Sequence, residues 1–468
     1  MKYISTRGQT PATAFDAVLL QGLAPDGGLF VPEVWPQFSA AEIAALEGLP
    51  YPELALRVLK PFVGGVIEDS ALAGIIDGAY ANFSTPEIAP LKKIGDNEWL
   101  LELFHGPTLA FKDMALQVLG PLFDHVLKTK GETATIIGAT SGDTGSAAIE
   151  ACRDRDAIEI FMLHPKGRVS DVQRRQMTTV TSDNVHNIAI DGTFDDCQDL
   201  VKAMFNDRAL RERLKLSAVN SINWARIMAQ VVYYFWAGLK LGTPKKHLSF
   251  AVPTGNFGNV FAGYEARAMG LPIDQLVIGS NSNDILTRFL ETGTMKMTGV
   301  EPTISPSMDI QVSSNFERLL FDLVGRDGDI VASFLEGFRK NGKYSINAKA
   351  LETVQTIFYG ARFDDEETMA IIKDVYETSG ELIDPHTAVG IAAARAQRRD
   401  RSIPMIALAT AHPAKFPDAV EAATGVRPEL PAHLADLFER EERCDVLPND
   451  LDAVTTFVSE RARGGKKP

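Results

Sequence analysis

Cysteine is scarce in this chain of 468 residues: there are three, Cys152, Cys197 and Cys444. They lie far apart, are odd in number and lack metal-ligand spacing. That argues against a disulfide framework, and isolated reduced thiols in a reducing, cytoplasmic setting are expected. The eight histidines are scattered, so no metal site is expected either. No run approaches the about 18 apolar residues that a membrane span needs. The opening Met1–Arg7 has no apolar segment and does not read as a secretory signal. Positive charge is in deficit, with 47 Lys and Arg against 61 Asp and Glu and a net charge of −14. Such a surface repels phosphate backbones, which argues against nucleic acid as a partner. A phosphorylated small molecule would need a locally positive site.

What is present has the composition of an ordinary globular protein. Residues 1–90 carry four basic and ten acidic side chains, with apolar positions at helical spacing in Ala40–Leu46 and Pro52–Val63. They read as a mostly helical N-terminal unit. From about residue 97, short β-branched runs alternate with helical stretches. The expected strands are Trp99–Phe104, Ala134–Ala139, Ile158–Leu163, Val185–Ile190, Leu248–Val252, Leu276–Ser280 and Pro404–Ala409. Helices are expected at Thr144–Cys152, Asp195–Asn206, Asn223–Leu241 and Phe257–Ala268, and Ile227–Trp236 is apolar enough to be buried all round. This alternation predicts an α/β fold with parallel sheets. Thr292–Ser314 reads as the longest loop. Residues 91–423 form the body, and 424–468 a helical extension with a basic, solvated tail.

Open parallel sheets bind ligands at the carboxyl ends of their strands. Four such segments stand out. Gly138-Ala139-Thr140-Ser141-Gly142-Asp143-Thr144-Gly145 leaves a strand and opens a helix; its hydroxyls and N–H groups suit a carboxylate or phosphate, and a turn capped by Asp143 or Thr144 would need the same residues. It is neither a P-loop nor a dinucleotide fingerprint, which disfavours a nicotinamide enzyme. Pro253-Thr254-Gly255-Asn256-Phe257-Gly258-Asn259 suits a second backbone nest for a phosphate, and an Asn/Gly turn without a ligand would need the same residues. Ala409-Thr410-Ala411-His412-Pro413-Ala414-Lys415 offers one neutral hydroxyl, Thr410; His412 and Lys415 read as solvated helix-start residues, with a direct role as the alternative. In Ala110-Phe111-Lys112-Asp113 the flanking apolar residues would desolvate Lys112 and lower its proton affinity, favouring a nucleophilic amine; an ion pair with Asp113 or a neighbour is the plainer alternative.

Together these segments resemble the fold-type II (tryptophan synthase β-like) family of pyridoxal-phosphate enzymes, and within it the threonine synthases of the longer microbial and fungal type. The likeness also runs through Lys2–Gly8, Gly22–Leu29, Phe104–Thr108, Asn220–Asn223, Pro306–Ile310 and Asp384–Ala388. It implies two α/β lobes and a helical N-terminal unit. It also implies that Lys112 holds pyridoxal 5'-phosphate as a Schiff base. Gly255, Asn256, Phe257, Gly258 and Asn259 would bind the cofactor phosphate, and Thr410 the pyridine nitrogen. Thr140, Ser141, Asp143 and Thr144 would bind the substrate α-carboxylate. Asn220, Ser221 and Arg226 would bind the substrate phosphate. The implied reaction converts O-phospho-L-homoserine and water to L-threonine and phosphate. Related enzymes often carry Asn at the position of Asp143, and many threonine synthases carry Asp at that of Asn259. An ionised Asp143 cannot donate to the cofactor's phenolate oxygen, so it is given no such role. A dehydratase or phospho-amino-acid lyase of the same fold stays open as an alternative. So does a catalytically silent paralogue that binds the cofactor. A monomer is expected rather than a dimer, because 1–90 and the C-terminal extension would cover the surface through which shorter relatives pair.

Overall fold

The computed structural model describes residues 1–218 and 220–463; the predicted basic tail, from 464 onward, lies outside the described residues. Two sheets organise the chain. In the first, six strands run in the order Phe358–Arg362, Ile273–Ser280, Leu248–Pro253, Met405–Ala409, Glu98–Glu102 and Leu91–Gly95. The first five are parallel and the last is antiparallel. In the second, five parallel strands run in the order Asp445–Pro448, Val185–Asp191, Ile158–Pro165, Ala134–Ala139 and Leu216–Ser217. All seven expected strands are present, within a few residues at their ends.

The N-terminal segment is helical at Phe15–Gln21, Ala40–Ala44, Tyr51–Val63 and Asp69–Tyr80, and a short antiparallel pair, Tyr3–Ser5 with Phe30–Pro32, fixes its start. Its apolar faces pack on the helix Trp224–Leu241, which is buried from Trp224 to Leu239 as the sequence predicts. Tyr51 stacks edge-on against Trp236 at 5.3 Å, and Trp236 Nε1 donates to the Ala89 carbonyl at 2.7 Å. The cap residue Asn223 donates to the Leu19 carbonyl at 2.9 Å. The N-terminal residues therefore hold the far side of a helix whose first turn carries Arg226.

Two expectations differ from the structure. The stretch from 424 is not helical throughout: before the helix Leu451–Arg461 it contributes Asp445–Pro448, an edge strand of the five-stranded sheet. Residues 292–314 are not wholly loop. Thr294–Lys296 pairs antiparallel with Lys343–Ser345, and Pro306–Met308 makes a 3-10 turn.

Candidate active site

Strand order brings the predicted segments together. Met405–Ala409 lies between Leu248–Pro253 and Glu98–Glu102, so the loops leaving all three strands emerge side by side. Two of them are zipped: the Phe111 N–H donates to the Thr410 carbonyl at 2.8 Å and the His412 N–H to the Leu109 carbonyl at 3.0 Å. This pairing delivers Lys112, the first residue of the helix Lys112–Lys130, beside Thr410. Thr410 is anchored from below. Its N–H donates to Thr387 Oγ1 at 3.3 Å, and the Thr387 hydroxyl donates in turn to the buried carboxylate of Asp384. Asp384 also accepts from His386 Nδ1 at 2.7 Å, and the opposite ring nitrogen of His386 accepts from the Ser307 N–H at 3.2 Å. His386 is thus a helix-start structural residue.

Lys112 is buried, with its Nζ 3.3 Å from Asp143 Oδ2. Burial lowers its proton affinity; Asp143 opposes this, while Lys415 and Arg226 reinforce it. The alternative partner Asp113 is engaged elsewhere. It accepts from the Thr108 N–H at 2.8 Å and the Thr108 hydroxyl at 2.7 Å.

Asp143 opens the helix Asp143–Cys152. Burial alone would raise its proton affinity, yet Lys415 and Lys112 outweigh it and hold the carboxyl well below the usual carboxylate range. Oδ1 lies 2.6 Å from Lys415 Nζ and accepts from Gln173 Nε2 at 2.8 Å. This side chain faces two lysines, so any hold on a carboxylate from this position comes from backbone N–H groups. The turn is not capped by Asp143 or Thr144. Thr140 Oγ1 accepts from the N–H groups of Gly142 at 3.0 Å and Gly145 at 2.9 Å. Gly142 has φ +146°, and a Cβ there would lie 2.4 Å from Gln173 Oε1. Ser141 is exposed and Thr144 half-buried.

The expectation for the 410–415 segment needs correction. Lys415 is buried, held by Asp143 and by the Thr108 carbonyl at 2.8 Å. His412 is largely enclosed, with its ring edge-on to Phe104 at 5.3 Å. Neither is a solvated helix-start side chain. The burial of Lys415 is not legible in the sequence, because its partner Asp143 lies far away in the chain, at the start of a helix that follows a strand of the other sheet.

Residues 255–259 form a tight turn that opens a helix. Phe257 takes a left-handed conformation, φ +65°, at the start of the helix Gly258–Ala268, whose first N–H groups have no partner within the helix. A Cβ at Gly255 would meet the Ser307 carbonyl at 2.8 Å. Asn259 Oδ1 accepts from Tyr233 at 2.5 Å and from Tyr234 at 3.1 Å, while its buried Nδ2 has no partner among the described residues. Asn315 Nδ2 bridges two loops, donating to the carbonyls of Asn256 at 2.9 Å and Ser221 at 3.1 Å. Asn220 Oδ1 accepts from the Ile222 N–H at 3.3 Å, shaping the turn before Asn223.

Arg226 is buried, and its Nε and Nη1 have no partner among the described residues. Burial lowers its proton affinity to about 10, so it stays charged at neutral pH. A buried guanidinium without a counter-ion is the donor set for an incoming anion. Together with the Asn259 amide, unpartnered among the described residues, and the helix-opening turn at 255–259, it forms a set of donors that fits the phosphate of a cofactor such as pyridoxal phosphate. Among the described residues no group of three or more His, Cys, Asp or Glu could hold a metal ion.

Comparison with known proteins agrees with this geometry. Three family models match: threonine synthase N terminus over residues 2–80, pyridoxal-phosphate dependent enzyme over 83–339, and threonine synthase, C-terminal over 387–458. Threonine synthase of Pseudomonas aeruginosa is 58% identical, with 100% of both chains covered. A crystal structure of threonine synthase from Brucella melitensis with pyridoxal phosphate bound superposes with a TM-score of 0.98 at 54% identity, covering 99% of this chain and 100% of that one. The yeast threonine synthase structure gives a TM-score of 0.94 at 40% identity, with 98% of each chain covered. The chain belongs to the threonine synthase family of pyridoxal-phosphate-dependent, fold-type II enzymes.

Proposed function

We propose that this chain converts O-phospho-L-homoserine and water to L-threonine and phosphate, with the residues assigned as follows. Lys112 holds the cofactor covalently. The N–H groups of Gly255, Asn256, Phe257, Gly258 and Asn259 hold its phosphate, and Thr410 meets its ring nitrogen. Bound pyridoxal phosphate supplies an aldehyde that links to an amine and a ring that draws electrons from the neighbouring carbon. Thr410 is neutral and leaves that ring a moderate sink, which favours elimination and replacement over transamination.

The 140–144 turn orients the substrate through its α-carboxylate. Arg226, with Asn220 and Ser221, grips the γ-phosphate and remains with it as it departs, which stabilises the leaving group. Lys112, a desolvated amine, takes the proton at Cα and serves the later proton movements at Cβ and Cγ. The observation that carries this reading is Arg226: a buried, uncompensated cation within electrostatic reach of Lys112. A dehydratase acting on an unphosphorylated amino acid has no use for it.

Phosphate and threonine should appear together, in equal amounts, from phosphohomoserine, and Lys112→Ala should abolish both. Release of 2-oxobutanoate and ammonia without threonine would establish the dehydratase instead. We further take the enzyme to be cytoplasmic and monomeric, and to comprise units 1–90, 91–423 and 424–468. Sedimentation as a dimer at micromolar concentration would overturn the monomer.

A further inference from the structure

The cleft contains two buried lysines, and the second has no part in the reaction just described. Lys415 ends the 3-10 turn Pro413–Lys415 beyond the six-stranded sheet, and its side chain is 0% exposed. Its Nζ reaches across to Asp143, which belongs to the five-stranded sheet's first helix, and also donates to the Thr108 carbonyl four residues before Lys112. Asp143 thus lies between two buried lysine side chains. The contact to Lys415 is short, 2.6 Å, and that to Lys112 long, 3.3 Å. Gln173 completes the shell around Oδ1.

We propose that Lys415 is a positioning residue: it is the counter-charge of Asp143, pinning that carboxylate across the cleft and thereby leaving the amine of Lys112 free to react. The assignment rests on the reading of Lys112 as the reactive lysine. A carboxylate facing a single buried lysine would hold it as an ammonium, and an ammonium is no nucleophile. A second cation nearer to the carboxylate cancels that effect and adds repulsion of its own. Arg226 pushes Lys112 in the same direction, and Asp113 lies within electrostatic reach of Lys415. These are the charged groups that face the pair: Asp143 and Arg226 toward Lys112, Asp143 and Asp113 toward Lys415. The arrangement accounts for an aspartate at a position where related enzymes often have asparagine: the negative charge is present, and it is neutralised by a lysine that arrives from the other sheet.

The test follows the reactivity of Lys112 itself. The full-length chain, freed of cofactor, is treated with an amine-directed acylating reagent across a pH series, and modification at Lys112 is read by peptide mass spectrometry. The return of cofactor absorbance after adding pyridoxal phosphate is timed in parallel. Lys415→Gln should move the Lys112 midpoint up by about one pH unit, making both processes about tenfold slower below the midpoint. Lys415→Arg should keep the wild-type midpoint. Asp143→Asn added to Lys415→Gln should return the midpoint toward wild type. A wild-type midpoint in Lys415→Gln overturns the proposal. Should that variant not fold, Asp143→Asn alone decides: with Lys415 left uncompensated the midpoint must fall, and an unchanged midpoint overturns the assignment. These midpoints do not depend on which amino acid is made. A chain that shows the shifts but forms no threonine would refute the proposed reaction and leave the role of Lys415 standing.

Discussion

The side-chain amide of Asn315 lies 2.9 Å from the Asn256 carbonyl, and the same nitrogen donates to Ser221 at 3.1 Å. One amide therefore ties the loop assigned to the cofactor phosphate to the loop assigned to the substrate phosphate. The buried guanidinium of Arg318 grips Asn315 Oδ1 and holds it in that orientation. Asn315→Ala should loosen both loops together. At about 1 kcal/mol per lost hydrogen bond, cofactor affinity and phosphohomoserine KM should each worsen by roughly five- to tenfold. Equilibrium dialysis with pyridoxal phosphate and steady-state kinetics measure the two effects, and a change in only one would contradict the shared tie.

Arg226 gives the opposite sign for stability and function. Its Nε and Nη1 are buried with no partner among the described residues, so Arg226→Met should leave the melting temperature of the chain freed of cofactor unchanged or raised. The same change should raise KM for phosphohomoserine by on the order of a hundredfold, the loss of a charge-assisted contact worth about 3 kcal/mol. Calorimetry and kinetics on one preparation check both halves.

Glu265 is fully buried, and neither carboxylate oxygen has a partner among the described residues. Burial raises its proton affinity well above the ordinary value; Arg318 opposes the shift and Asp322 adds to it. The folded state therefore holds this proton more tightly than the unfolded one. Stability that Glu265 leaves intact at low pH is lost as pH rises above its unfolded value. Glu265→Gln should accordingly stabilise the protein at pH 8 by on the order of 1–3 kcal/mol and have little effect at pH 4. Urea unfolding at the two pH values measures this.

His412 sets an acid limit. Burial pushes its proton affinity down from 6.5 to about 4, and the neighbouring His105 adds to the effect. The unfolded chain takes up a proton at this residue below about pH 6.5, which the folded chain refuses until about pH 4. Stability must therefore fall with pH across that window, with a limiting slope of about one proton. His412→Asn keeps an acceptor for the Ala414 N–H, which His412 Nδ1 now accepts at 3.2 Å. Unfolding free energies of that variant should be flatter between pH 6.5 and 4.

The central strands were legible because they are buried on both faces and read as continuous apolar runs. The edges were not. Leu91–Gly95 carries two lysines, and in Asp445–Pro448 most side chains are exposed. Edge strands need no apolar run, and charged residues there keep them from pairing with other chains. In the site, Lys112 and the two glycine-rich turns stand out locally, as a lysine among apolar neighbours and as glycine-rich exits from strands, whereas Arg226 is singled out only by the resemblance to the family. Lys415 has no such pattern. Its burial comes from strand order, which sets the loop after Met405–Ala409 against a helix of the other sheet, and no local window records that.

The interleaving of the two sheets also constrains how the molecule is made. The five-stranded sheet takes four strands from residues 134–217 and its edge from Asp445–Pro448; the six-stranded sheet takes strands from residues 91–102 and then from 248–409. Neither sheet is complete in any nascent chain that stops short of about residue 409. Val185–Asp191 in particular waits with an open edge until residues 445–448 have been made. A ribosome would therefore present both half-built sheets for most of the synthesis time. A stall or truncation ahead of residue 445 would leave exposed, in an otherwise advanced fold, a parallel strand able to pair with another chain.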